Sequence, residues 1–178
     1  MTASPAWRVR LVPRLLTLLS LLATLGACSP HYNWREVHGD KLAFSVLLPA
    51  KPVSFSRQIN LDGIVLEMSM TAAEIDGVSY AVGAAELNDA AQIPQALTAM
   101  RTALLNNIAG VAQAATLPGH ADGAVEVVAD GVARGHAQHL MARLLARDKR
   151  IYQVLILGPA NHISAEHAEM FFTSFKPA

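Results

Sequence analysis

The chain has 178 residues, 52% of them apolar, with 14 basic and 14 acidic side chains and a single cysteine. That length suits one domain with a substantial core. A lone cysteine excludes an internal disulfide and an unaided thiolate zinc site, so the fold must rest on core burial. Arg8, Arg10 and Arg14 are the only charged residues before Cys28, so the remainder carries 11 basic against 14 acidic groups. A mildly acidic body excludes phosphate-backbone binding, which needs clustered Lys and Arg.

The first element is the apolar run from Leu15 to Ala27. Its roughly thirteen residues are too short to cross a hydrocarbon core of about 30 Å as a helix rising about 1.5 Å per residue. With arginines before it and small residues at its end, it has the layout of a secretory signal. Residues 1–27 are therefore set aside from fold reasoning. Leu25-Gly26-Ala27-Cys28 resembles the lipobox of bacterial lipoproteins: an aliphatic residue, two small residues and a cysteine. The resemblance implies a diacylglyceryl group on the Cys28 thiol and cleavage just before it. Each buried methylene contributes about 0.8 kcal/mol, so two or three acyl chains hold a protein where one holds it only marginally. Ser29 stands where inner-membrane lipoproteins of enteric bacteria carry aspartate, which implies the periplasmic face of the outer membrane. The alternative is an ordinary secretory signal with a chance cysteine.

Residues 28–40 read as a polar, lipidated tether, with Tyr32 and Trp34 closing over the edge of a domain spanning 41–178, the alternative being that they rest at the lipid interface. From Leu42 the period is two: Leu42, Phe44, Val46 and Leu48 form a half-buried strand that Pro49 and Pro52 stop. Val53 to Asn60, Ile64 to Glu74 and Val78 to Leu87 follow as strands joined by Asp62-Gly63 and Asp76-Gly77 hairpins. Ile93, Leu97, Met100, Leu104 and Ile108 then recur at helical spacing, with Pro94 in the first turn and Gly110 as the stop. After Pro118-Gly119, strands are expected at Val125–Ala129, Val132–Ala146 and Ile151–Leu157, turning at Asp130-Gly131 and at 147–150. Ser164 caps a final amphipathic helix whose apolar face is Ala168, Phe171, Phe172 and Phe175.

Strand meanders separated by two main helices predict an α+β fold with an antiparallel sheet of about six to seven strands. The order of FSVLLPAKP, hairpins, a middle helix, a second meander and a closing FFTSFK resembles the PsbP-like superfamily and its DcrB-like envelope proteins. That resemblance implies a sheet sandwiched by helices and a non-enzymatic accessory role, and it supplies no binding residue.

The chemistry-bearing residues favour no reaction. His136 and His139, three apart on a strand, point to opposite faces and make a poor metal pair; His162 and His167 would lie about 140° apart on a helix and are expected at the surface. The serines at 45, 54, 56, 69, 79, 164 and 174 lack a nucleophile-elbow context, and the carboxylate pairs Asp122 with Glu126 and Asp62 with Glu67 fall on turns and strand surfaces. Arg143, Arg147, Lys149 and Arg150 read as a solvated basic hairpin end, with contact to lipid headgroups or an acidic partner as the alternative. The methionines at 68, 70, 100, 141 and 170 are expected as core filling, or as the lining of an adaptable apolar pocket. No catalytic residue, cofactor or metal is expected. The expected protein is a lipid-anchored envelope module that binds a partner protein, the alternative being a carrier or sensor of an apolar ligand in a cleft of several hundred Å3.

Overall fold

A computed structural model describes residues 31–39, 42–119 and 121–178; Cys28 and the expectations for residues 1–30 lie outside this set. Residues 32–178 form one compact unit. In chain order its elements are β1 (Arg35–His38), β2 (Phe44–Leu48), β3 (Val53–Leu61), β4 (Ile64–Ile75), β5 (Val78–Glu86), α1 (Ile93–Asn107), β6 (Val111–Gln113), β7 (Val125–Ala133), β8 (His136–Arg147), β9 (Arg150–Gly158), α2 (Ala165–Ser174) and β10 (Lys176–Pro177). The class is α+β, as expected.

Seven strands make one sheet in the order β3-β4-β5-β9-β8-β7-β6, every neighbouring pair antiparallel. Two meanders, β3 to β5 and β6 to β9, thus meet where β5 pairs with β9. On one face α1 packs Leu97, Met100, Leu104 and Ile108 against inward residues of the sheet such as Leu66, Met68, Leu140 and Leu144. On the other, α2 and a small sheet ordered β1-β2-β10 bury Phe44, Val46, Leu48, Phe171 and Phe172 against Tyr80, Val82, Tyr152 and Val154.

The hairpins follow their turn residues. Asp62 and Gly63 (φ 53° and 91°) and Asp76 and Gly77 (φ 53° and 74°) occupy the left-handed region that a two-residue hairpin demands. Ile64, Leu66, Met68 and Met70 share the face toward α1, as their alternation predicts. Met68 and Met100 are buried, and Met70 and Met141 pack against the two cores, so these methionines fill space.

Four expectations need correction. Residues 35–38 are not tether: they form β1, paired with β2 from Arg35↔Leu48 to His38↔Ser45. Strand β6 went unanticipated because three exposed residues carry no period. Asp130 and Gly131 are not a turn but lie inside β7, and the chain reverses at Arg134-Gly135 (φ 51° and 80°). Gly131 serves a different need: a Cβ there would stand 2.2 Å from the Ile108 carbonyl oxygen, which accepts the Val132 N–H at 2.6 Å. The glycine lets the end of α1 dock on the sheet. Finally, Gly110 does not take the left-handed stop of α1; Ala109 does, at φ 46°. Ala109 N–H bonds the Asn106 carbonyl at 3.2 Å and Gly110 N–H bonds that of Leu105 at 2.8 Å, closing a Schellman motif with alanine where glycine is favoured.

Replacing Ala109 with glycine is therefore expected to raise stability by about 0.5–1 kcal/mol, since relief of the left-handed strain outweighs the added freedom of the unfolded chain. A rise in the urea midpoint at unchanged slope checks it; a fall would show that Ala109 is unstrained.

Candidate binding surface

Strand β3 closes one edge of the large sheet and, among the described residues, pairs only with β4. Its register runs unbroken from Val53↔Ala72 to Leu61↔Ile64, without a bulge, and it contains no proline. The two-residue turn makes Leu61 and Ile64 a hydrogen-bonded pair. Alternation then directs the backbone groups of Ser54, Ser56, Gln58 and Asn60 away from β4, toward the open edge. The opposite edge, β6, is only three residues long.

Side chains divide the edge into two faces. On the α1 face, Val53 and Phe55 are 67% and 51% exposed. Helix α1 covers the other end of β3, where Gln95 Nε2 donates to the Asp62 carbonyl at 2.7 Å. On the opposite face, hydroxyls pair across the strands: Ser54 with Thr71 at 3.0 Å and Ser56 with Ser69 at 2.8 Å. These hydroxyls, with Leu42 and Phe44, line a recess of about 210 Å3.

A second surface is built by the segment leading into β1. Tyr32 and Trp34 pack on the ring of His167, at 4.1 and 5.6 Å between centroids, and Trp34 meets Tyr80 edge-on at 5.9 Å. Tyr80 in turn meets Phe171 at 5.5 Å. Tyr32 Oη donates to the Asp76 carboxylate at 3.3 Å, and His162 Nδ1 to the Asp76 carbonyl at 2.8 Å. Tyr32 and Trp34 thus close over the core edge, as expected. His167, expected at the surface, is half-buried: its Nδ1 is buried, and neither it nor the buried Tyr80 hydroxyl has a hydrogen-bond partner among the described residues. Burial foremost, then the Tyr32 and Asp76 charges, pushes the Tyr80 hydroxyl up to about 12. The Tyr32 hydroxyl is also raised, by burial first and then by Asp76.

Arg143 corrects another expectation. It is not part of a solvated hairpin end but is 3% exposed. Its Nε and Nη2 donate to Glu126 Oε1 at 3.2 and 2.7 Å, and Nη2 also reaches the carbonyls of Pro118 and Gly119 at 3.0 and 2.7 Å. Its guanidinium carbon sits 5.5 Å from the centre of the Phe172 ring. Glu126, read as a solubilising carboxylate, instead holds this buried charge, and its second oxygen accepts the Leu117 N–H at 2.9 Å. The pair pins the loop between β6 and β7. Arg147 and Lys149 are exposed, and Lys149 and Arg150 bond the carbonyls of Asn88 and Ala178.

The histidines do not assemble a metal site. His136 pairs with Ala133 and His139 with Asp130, so the two imidazoles take opposite faces. Among the described residues no group of three or more His, Cys, Asp or Glu is placed to hold a metal ion. His139 Nδ1 lies 2.6 Å from Asp130, whose carboxylate also accepts from Gln113. Those hydrogen bonds, that of His139 first, hold the Asp130 carboxyl below its ordinary value. The stability they give is present above the ordinary carboxylate range and is lost as pH falls through the lower folded value. The third member of this exposed group is a neutral amide, which offers no nucleophile. Ser164 caps α2 by accepting the His167 N–H at 3.2 Å, while Asp62 is held in its turn. Beside α1, an open groove of about 680 Å3 has a mixed lining: Asn60, Asp62, Gln95, Thr98, Thr102 and Asn106 alternate with Pro94, Ala99 and Ala103. No helix among the described residues is long and apolar enough to cross a membrane.

No protein-family model matches this chain, and no curated protein matches it.

Two substitutions test the buried Tyr80 hydroxyl and the Arg143–Glu126 pair. Tyr80→Phe removes a buried hydroxyl that has no partner, so stability at pH 7 is expected to hold or to rise by about 1 kcal/mol. Because the folded state keeps this proton after the unfolded chain loses it, stability is full below pH 10 and falls toward about 12. The variant should show a shallower loss in that window, leaving the part due to Tyr32; an unchanged alkaline limb in a pH series of urea melts would contradict the assignment. Glu126→Gln leaves the Arg143 charge without its counter-ion and is expected to cost about 3 kcal/mol. The same substitution should speed amide exchange at Leu117, whereas equal exchange in both proteins would deny Glu126 its hold on the loop.

Proposed function

We propose that this chain is a lipid-anchored cell-envelope protein whose α+β domain is a non-catalytic binding or assembly module for another envelope component. The observation that carries the reading is the open edge of β3, nine residues long, with Val53 and Phe55 exposed beside it. Soluble proteins ordinarily blunt such an edge with proline, a bulge, charged side chains or a covering element; β3 has a single charge, Arg57, and exposed apolar side chains beside an open edge favour pairing with another chain. The lipobox-like residues Leu25 to Cys28 support the anchor, and Ser29 favours the periplasmic face of the outer membrane. An antiparallel sheet with α1 on one face and α2 on the other supports reading the fold as a PsbP-like sandwich. Anchoring would raise the effective concentration of the module toward membrane-held partners. The carrier reading has less support, since the groove beside α1, with its mixed lining of amides, hydroxyls, Pro94, Ala99 and Ala103, lies open to solvent and is not an enclosed apolar cavity.

Growth with a labelled fatty acid tests the anchor, comparing the full chain with Cys28→Ala. The native protein should carry label and sediment with outer-membrane fractions, and the variant should lose both; equal labelling of the two would sink the lipid anchor.

A further inference from the structure

We infer that β3 is the docking site for an extended segment of a partner protein, which adds to the large sheet as an eighth strand. This deepens the binding-module reading and rests on it. Strand addition needs an unpaired row of backbone donors and acceptors for affinity and recesses for alternate side chains for specificity. Both are present here. Ser54, Ser56, Gln58 and Asn60 turn their N–H and C=O groups outward along a strand roughly 30 Å long. Beside them opens the recess lined by Ser54, Ser56, Ser69, Thr71, Leu42 and Phe44. Its volume of about 210 Å3 falls short of small-molecule sites, which run from about 300 Å3, and suits a single side chain. On the other face Val53 and Phe55 offer apolar cover to every second residue of the arriving strand.

Charge selects the occupant. From Lys51 to Leu61 the only charged side chains are Lys51 and Arg57, both positive. A second copy of this chain, paired antiparallel over the whole strand, centres on Arg57 and sets two guanidiniums opposite each other, an arrangement that is repulsive. A segment with an acidic residue opposite Arg57 and small apolar residues on either side meets no such repulsion. A contact of one strand also implies a reversible complex, since its area lies below that of standard stable interfaces.

The test is site-specific photocrosslinking of the full chain in its native cells. A benzophenone amino acid replaces Phe55 in one protein and, as a control on the exposed face of α1, Thr102 in another. The position-55 adduct should map to an extended, acid-containing segment of one partner. Its yield should fall at least tenfold with Ser56→Pro, which removes an outward N–H that β4 does not use, and with Arg57→Glu. Arg57→Lys should restore it. Unchanged circular dichroism of each variant shows that loss of capture is not loss of fold. A position-55 adduct between two copies of this chain would overturn the inference in favour of self-association, and an adduct indifferent to both substitutions would overturn strand addition. Capture from Thr102 alone would overturn the β3 site while leaving the binding-module reading standing; capture from neither position would overturn both.

Discussion

Strands β5 and β9 lie side by side at the centre of the large sheet, and neither has a face it can show to water. Val78, Tyr80, Val82 and Ala84 point one way along β5 while Ala81 and Ala85 point the other; β9 repeats the pattern with Tyr152, Val154 and Ile156 against Ile151 and Leu155. A sheet whose central strands are apolar on both sides must be covered on both sides. The rest of the domain follows from that requirement. One amphipathic helix, α1, covers the first face; α2 alone is too short to cover the second. The small sheet β1-β2-β10 completes it, drawing in Phe44, Val46 and Leu48.

The requirement weakens toward the sheet margins, and the two margins resolve it differently. At the β6 margin, the loop before β7 is drawn in by Arg143, whose buried charge is met by Glu126 and by two loop carbonyls. Such a pair contributes specificity of position more than net stability, because desolvating it costs about as much as the attraction returns. At the β3 margin no element among the described residues closes over Val53 to Ser56, which stay exposed.

Features that depend on neighbouring residues were legible in the sequence. Asp62-Gly63 and Asp76-Gly77 write their turns locally, Ser164 writes its own cap, and the Ile93 to Ile108 periodicity writes α1. Features that depend on distant residues were not. Gly131 resembles a turn glycine in every local respect, yet it is there to admit the Ile108 carbonyl, 23 positions earlier in the chain. Arg143 and Glu126 sit 17 residues apart and look like surface charges until the register of β7 and β8 sets them side by side. His167 looks like the outer face of a helix until Tyr32 and Trp34 fold over it. The candidate surface has the same character: Val53 to Asn60 read plainly as a strand, but whether a strand lies inside or at the margin depends on the order of the sheet.

The two apolar clusters share a wall and do not mix. Their side chains alternate along the same strands, so each strand is a partition with a separate room on either side. Disturbance in one room reaches the other only through the backbone of the partition. A loosened α1 would expose its own cluster while the aromatic cluster of Tyr80, Trp34 and Phe171 stayed closed, because nothing in that second room leans on the helix. Two clusters divided in this way are natural units for separate local opening. A strand added at the margin of the sheet, where the partition itself ends, would stiffen the one element both rooms hold in common.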